Sequence, residues 1–156
     1  MSDNPQSTLQ IAGHPLHPIL IPFPIVLLVG GLFCDLAFWV SANAGWATAA
    51  LWSIGLGIIA AAVAAVAGFV DFVGDRRIRN LSDAWQHFLA NGLAVVLAII
   101  NFYLRYRYGA EQGVFPWGIS LSTLVVLLLL FSGWKGGELV FRYRVAVLDN
   151  PRKGLS

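Results

Sequence analysis

Four long apolar stretches separated by short polar ones set the pattern of the chain: Pro18 to Val40, Thr48 to Val70, Asp83 to Tyr103 and Trp117 to Gly137. Each is close to the 20 or so residues that a helix needs to cross a hydrocarbon core of about 30 Å. The connections Ser41 to Ala47, Gly74 to Ser82 and Tyr108 to Pro116 are short, so consecutive helices must run antiparallel. The pattern predicts an all-α integral membrane protein, a four-helix up-down bundle with its transmembrane domain over residues 18–141. An interfacial segment, 1–17, precedes it, and a polar, loosely ordered tail, 142–156, follows.

Polar positions inside these stretches are few and periodic. On the third helix His87, Asn91, Ala94, Ala98 and Asn101 follow one another at steps of four, three, four and three, one polar and small face on a helix otherwise rich in Val, Leu and Ile. That face is expected to point into the bundle, because an amide turned to lipid is unsatisfied. Asn91 and Asn101 read as interhelical hydrogen-bond glue. Ser82 is placed to cap this helix and Asp83 to complement its dipole. The second helix carries a matching stripe of Ser53, Gly57, Ala61, Ala64, Gly68 and Asp71, whose small residues let backbones approach. Asp35 lies within the first span at the depth of Asn101. A hydrogen bond between the two satisfies both, and this structural role is favoured over proton transfer.

Composition narrows the class further. With 58% hydrophobic and 12% charged residues in 156, the chain is far too apolar for a soluble domain. Of ten Lys and Arg, eight (Arg76, Arg77, Arg79, Lys135, Arg142, Arg144, Arg152 and Lys153) fall on the face that carries both termini, here face A. The opposite face B has only Arg105 and Arg107. The positive-inside rule then makes face A, and both termini, cytoplasmic in a bacterial inner membrane. The pI near 9.0 has the same origin, a basic fringe beside anionic headgroups, and calls for no nucleic acid. Residues 1–17 contain no Lys or Arg, so the first span is expected to be retained instead of cleaved as a signal peptide. The single cysteine, Cys34, excludes a CxxC or other multi-thiolate metal site.

The segment GHPLHPILIPFP, residues 13–24, is the least ordinary part of the chain. Its four prolines require the first helix to start late or bend, leaving His14 and His17 on largely extended backbone at the interface. His87 opens the third helix near the same face. Asp71 ends the stripe of the second helix there, and Glu138 leaves the membrane with Lys135 one turn before it, a spacing at which the two can pair. Asp75, beside Arg76 and Arg77, reads as a solvated ion-pair partner.

HPLHPILIPFPIVLLVGGLFCDL at the start, GFVDF at the close of the second span, His87, and SGWKGGELVFRYRVAV at the end carry a resemblance. The chain is similar, over roughly residues 12 to 148, to a widespread bacterial family of small four-helix membrane proteins, the domain-of-unknown-function family 2231. The resemblance implies a fold and a membrane address, and through relatives that carry an added electron-transfer domain it implies a redox setting. It singles out His14, His17, Asp35, Asp71, His87 and Glu138.

Two neutral imidazoles suffice to hold a b-type haem, which points to His87 with His14 or His17. Histidines with Asp71 or Glu138 also suit a divalent metal, zinc or iron. The expectation is a cofactor or metal site near face A built from His14, His17 and His87 and supported by Asp71 and Glu138. The protein would not be an enzyme on its own and would work with a redox protein partner, a homo-oligomer being one possible form. The alternative is a non-catalytic scaffold or partner subunit whose polar cluster fixes helix packing.

Overall fold

The computed structural model describes residues 4–147. Four helices in it are long and apolar enough to cross a membrane: Leu16–Ser41, Ala44–Gly74, Ser82–Tyr108 and Val114–Phe141. The first begins as a short helix α1, Leu16–Leu20, and continues as α2, Pro22–Ser41. It is followed by α3, Ala44–Gly74, the short α4, Arg76–Arg79, then α5, Ser82–Tyr108, and α6, Ile119–Phe141, which is entered through a π-helical turn at Val114–Gly118. The only strands among the described residues, β1 (Gln10–Ile11) and β2 (His14–Pro15), form a small antiparallel ladder ahead of α1.

Each helix outruns its apolar stretch, because polar residues at the interface propagate a helix as well as apolar ones do. Only Ala42 and Asn43 separate α2 from α3. Ala42 takes a left-handed φ of 53° and returns its N–H to Phe38 O at 2.8 Å, while Asn43 Oδ1 accepts from Gly45 N at 2.9 Å. These two residues close one helix and cap the next.

The prolines of the first span interrupt it at Ile21 and do not delay it. Ile21 keeps helical angles, and Pro22 sits at the start of α2, where its missing N–H costs nothing. His17 is therefore helical, contrary to the extended backbone expected for it, whereas His14 lies in the strand ladder. Leu81, not Ser82, is the N-cap of α5, and no side chain caps that end.

The helices form a ring in which α2 packs on α3 and α5 on α6, with α2 on α6 and α3 on α5 closing it. Small side chains line the seams: Ala61, Ala64 and Ala67 on α3 and Ala90, Ala94 and Ala98 on α5 are all buried. Leu28, Ile54, Ala94, Ala98 and Val125 make the central core, and a second cluster, Phe72, Ile78 and Ala84, lies at face A. Large apolar residues such as Val26, Ile59 and Leu130 point outward and are more than 60% exposed. Packing by small residues with large ones turned outward is the arrangement that a lipid solvent permits.

Near face B the bundle encloses a polar network. Arg105 and Asp35 are both 0% exposed, and Arg105 Nη2 donates to Asp35 Oδ2 at 2.7 Å. Ser122 Oγ donates to the same oxygen at 2.7 Å. Arg105 Nε donates to Asn101 Oδ1 at 2.8 Å, and Asn101 Nδ2 reaches Gly118 O at 3.0 Å and Ser122 Oγ at 2.9 Å. Asp35 is thus bonded through Oδ2 to Arg105 and Ser122, and it is linked to Asn101 only through them, which corrects the direct bond expected from depth alone. Arg105 is not a surface charge of face B. Its burial leaves Arg107 as the exposed cation of that end among the described residues.

Removing one partner of a buried ion pair strands the other charge, so Asp35→Ala should cost about 3–5 kcal/mol of bundle stability. The double variant Asp35→Leu/Arg105→Met should recover most of that loss. Thermal unfolding midpoints in detergent measure both, and a single variant as stable as the parent contradicts the network's role.

Candidate functional site

His17 and His87 come together across the bundle at the face A end. Their ring centres are 6.2 Å apart and their planes are perpendicular, at 89°. His17 projects from α1 onto α3, where Nδ1 lies 2.9 Å from Ala64 O. His87 projects from α5 onto α6, where Nδ1 lies 2.9 Å from Ser132 O and 3.0 Å from Ser132 Oγ. A carbonyl only accepts, so in both rings Nδ1 carries the proton and Nε2 presents its lone pair. For His87 that lone pair faces Asn91 Nδ2 at 3.1 Å.

The same device seats both rings. Each bonds a helix carbonyl whose partner four residues on is a glycine: Ala64 with Gly68, Ser132 with Gly136. A Cβ at Gly68 would stand 2.6 Å from His17 Cε1, and one at Gly136 would stand 3.1 Å from His87 Cε1. The absent side chains are the notches in which the imidazoles lie. Beside the pair, Phe69 and Phe72 of α3 meet Trp85 and Phe88 of α5, with Phe72 and Phe88 stacked at 5.1 Å.

The other residues singled out from the sequence have separate duties. His14 is exposed, and its Nδ1 bonds Ala12 O at 3.0 Å within its own turn. Asp71 holds the N-terminal segment, accepting from Ser7 Oγ at 2.9 Å, Thr8 N at 2.7 Å and Leu9 N at 2.9 Å. Glu138 pairs with Arg142 at 3.3 Å and Lys135 with Asp83 at 2.8 Å, so the Lys135–Glu138 pair expected from spacing is replaced by two others. Asn91 bonds His87 on its own helix and Asn101 bridges α5 to the start of α6, so only Asn101 acts as interhelical glue. Among the described residues no three of His, Cys, Asp and Glu converge to hold a metal ion. The chemistry brought together at this end is two imidazoles with one amide.

The N-terminal segment fixed by Asp71 is joined to the described part of the C-terminal tail. Ala146 N donates to Pro5 O at 2.9 Å and Asn4 Nδ2 to Val147 O at 3.2 Å. The tail up to Val147 is therefore tied down, and the remainder of the segment expected to be loose lies outside the described residues. Asp75 caps α4 through Arg77 N at 2.8 Å and takes the Arg77 guanidinium at 2.8 Å, which holds its carboxyl below the ordinary range.

Gly68→Ala should lower the thermal midpoint and break the His17–Ala64 bond, at a cost of about 1–3 kcal/mol from overpacking. Gly136→Ala, with more room, should cost less. Gly92→Ala, where a Cβ meets nothing within 4 Å, should be neutral or stabilising. Equal losses at all three positions would contradict the notches. Asp71→Ala should release the N-terminal segment, seen as faster hydrogen exchange at the Thr8 and Leu9 amides.

The family described as "Predicted membrane protein (DUF2231)" matches residues 13–149. No curated protein and no solved structure matches the chain.

Proposed function

Since the chain belongs to this family of predicted membrane proteins, whose description names no activity, we propose that it binds one metal-centred redox cofactor, a b-type haem, between His17 and His87. The observation that carries the reading is the spacing of the two rings. Two imidazole nitrogens each about 2 Å from a shared metal bring their ring centres to within roughly 5–6 Å of each other. The 6.2 Å found here is of that order, so His17 and His87 would be the residues that hold the group, and two imidazoles are a donor set that haem iron takes. Both Nδ1 atoms are already anchored on carbonyls, which fixes the tautomer and turns Nε2 into the ligating atom. A divalent metal on the same two nitrogens is the simpler form of this proposal, with water or a partner's side chain completing its coordination.

In this reading His17 and His87 are the ligands. Asn91, which bonds His87 Nε2, would have to release that nitrogen to the group, and the small residues of α3 would lie beside it. His14 is not a ligand, and Asp71 and Glu138 contribute by holding the face A end together. When bound, the haem supplies one-electron chemistry. The protein's part is to hold the iron in an apolar wall of aromatic and small residues and to present basic face A to a redox partner. The protein sits in a bacterial inner membrane with both termini cytoplasmic, as the Lys and Arg distribution supports.

A second reading, a scaffold or partner subunit without a ligand, rests on the same hydrogen bonds. They join α1 to α3 and α5 to α6 whatever Nε2 does.

Ultraviolet-visible spectra of detergent-purified protein supplied with haem, oxidised and dithionite-reduced, separate the two. The haem reading expects a Soret band with sharp reduced α and β bands, lost in His17→Ala and in His87→Ala and kept in His14→Ala. A preparation that stays colourless, and binds neither zinc nor iron near one equivalent, leaves the scaffold reading standing. For orientation, a membrane-impermeant thiol reagent added outside intact cells stripped of the outer membrane should label Ser41→Cys and spare Arg76→Cys; the reverse pattern inverts the topology.

A further inference from the structure

The network around Asp35 is complete except at two atoms. Arg105 has three nitrogens that donate, and Nε and Nη2 are taken by Asn101 and Asp35. Asp35 Oδ2 accepts twice, from Arg105 and Ser122. Asp35 Oδ1 and Arg105 Nη1 are buried and have no hydrogen-bond partner among the described residues. Both residues are 0% exposed, in the half of the bundle toward face B. Buried polar atoms are almost always paired, with protein or with ordered water, and two orphans on groups that already touch at 2.7 Å point to one shared occupant.

The chemistry of the two atoms says what the occupant is. Arg105 Nη1 offers a hydrogen and Asp35 Oδ1 asks for one. The charges of the pair cancel, so a free anion is repelled by Asp35 and a free cation by Arg105. What remains is a small neutral species that accepts and donates through a single atom. We propose that a water molecule is bound here, inside the membrane-spanning region, bridging Arg105 Nη1 and Asp35 Oδ1.

The surrounding backbone supports an enclosed site. The turn at Val114–Gly118 folds back over Arg105 so closely that a Cβ at Gly113 would stand 2.9 Å from Arg105 Cγ, and one at Gly118 would stand 2.7 Å from Nη2. The water would join α2 to α5 by a second route beside the direct ion pair.

Two measurements test this. An experimental structure in lipid nanodiscs, at a resolution that shows ordered solvent, should carry a peak within hydrogen-bonding distance of both Asp35 Oδ1 and Arg105 Nη1. The peak should vanish in Asp35→Leu/Arg105→Met. Direct bonds from those two atoms to protein groups, two bare atoms with no peak, or a peak that persists in the double variant would each overturn the proposal. Water-edited solid-state NMR of the parent protein, labelled at Arg and Ala in lipid vesicles, is independent of any variant's folding. The Arg105 guanidinium signal should build up earlier than that of Ala98 in the core, which has no polar side chain to meet water. A build-up as late as that of Ala98 in the core sinks the idea.

Discussion

A chain dissolved in lipid has no solvent partner for its polar groups, and the bundle near face B is arranged around that constraint at Asp35. A carboxylate on α2 at this depth needs a counter-charge. Arg105 of α5 supplies it at 2.7 Å, and Ser122 of α6 supplies a second hydrogen at the same distance. Once Arg105 is committed inward, Asn101 must take its Nε, and the amide of Asn101 then reaches Gly118 O at the start of α6. Three of the four long helices are thereby fixed relative to each other by one charge pair and its attendants. The turn at Val114–Gly118 is held by the same demand, because only glycine at 113 and 118 lets the backbone lie against the arginine. The desolvation of such a pair offsets much of its attraction, so its worth lies in leaving neither charge alone.

At the other end two histidines bond backbone carbonyls, beside the ion pairs of face A. His17 and His87 each donate to a backbone carbonyl of a neighbouring helix and each lies in the gap left by a glycine four residues further on. A helix carbonyl has two lone pairs, so it can serve its own helix and the imidazole together. The result is a pair of rings with Nδ1 anchored, in which His87 Nε2 meets only the Asn91 amide. That combination is what makes the pair a candidate for a ligand.

Much of the architecture was legible from length and periodicity. Four apolar runs with short connections leave only an antiparallel bundle, and the α5 stripe correctly placed Ala94, Ala98 and Asn101 inside. Arg105 was misplaced because charges beyond an apolar run are ordinarily counted as loop charges. The stripe itself held the signal: one more step of four from Asn101 lands on Arg105. His17 was read as extended because prolines flank it, yet Pro15 immediately before a helix and Pro18 in its first turn are compatible with helical φ. The partners of Asp71, Lys135 and Glu138 were not legible. Spacing on one helix favours Lys135 with Glu138, whereas the pair that forms joins Lys135 to Asp83, 52 positions away. Pairs of that kind depend on which helices adjoin and at what height, and single-chain periodicity does not encode either.

The meeting of the two described ends has a consequence for how the chain order relates to the fold. Pro5 and Ala146 are hydrogen-bonded at 2.9 Å, and the helices form a closed ring in which α6 packs on α2. Sequence order and spatial order are therefore both nearly cyclic. A circular permutant, opened at the two-residue link between α2 and α3 and joined across the described ends, would keep each helix beside its present neighbours. It would also expose both of its new ends on face B, turning a protein whose described ends lie on face A into one with its ends on the opposite side of the bilayer from its histidines.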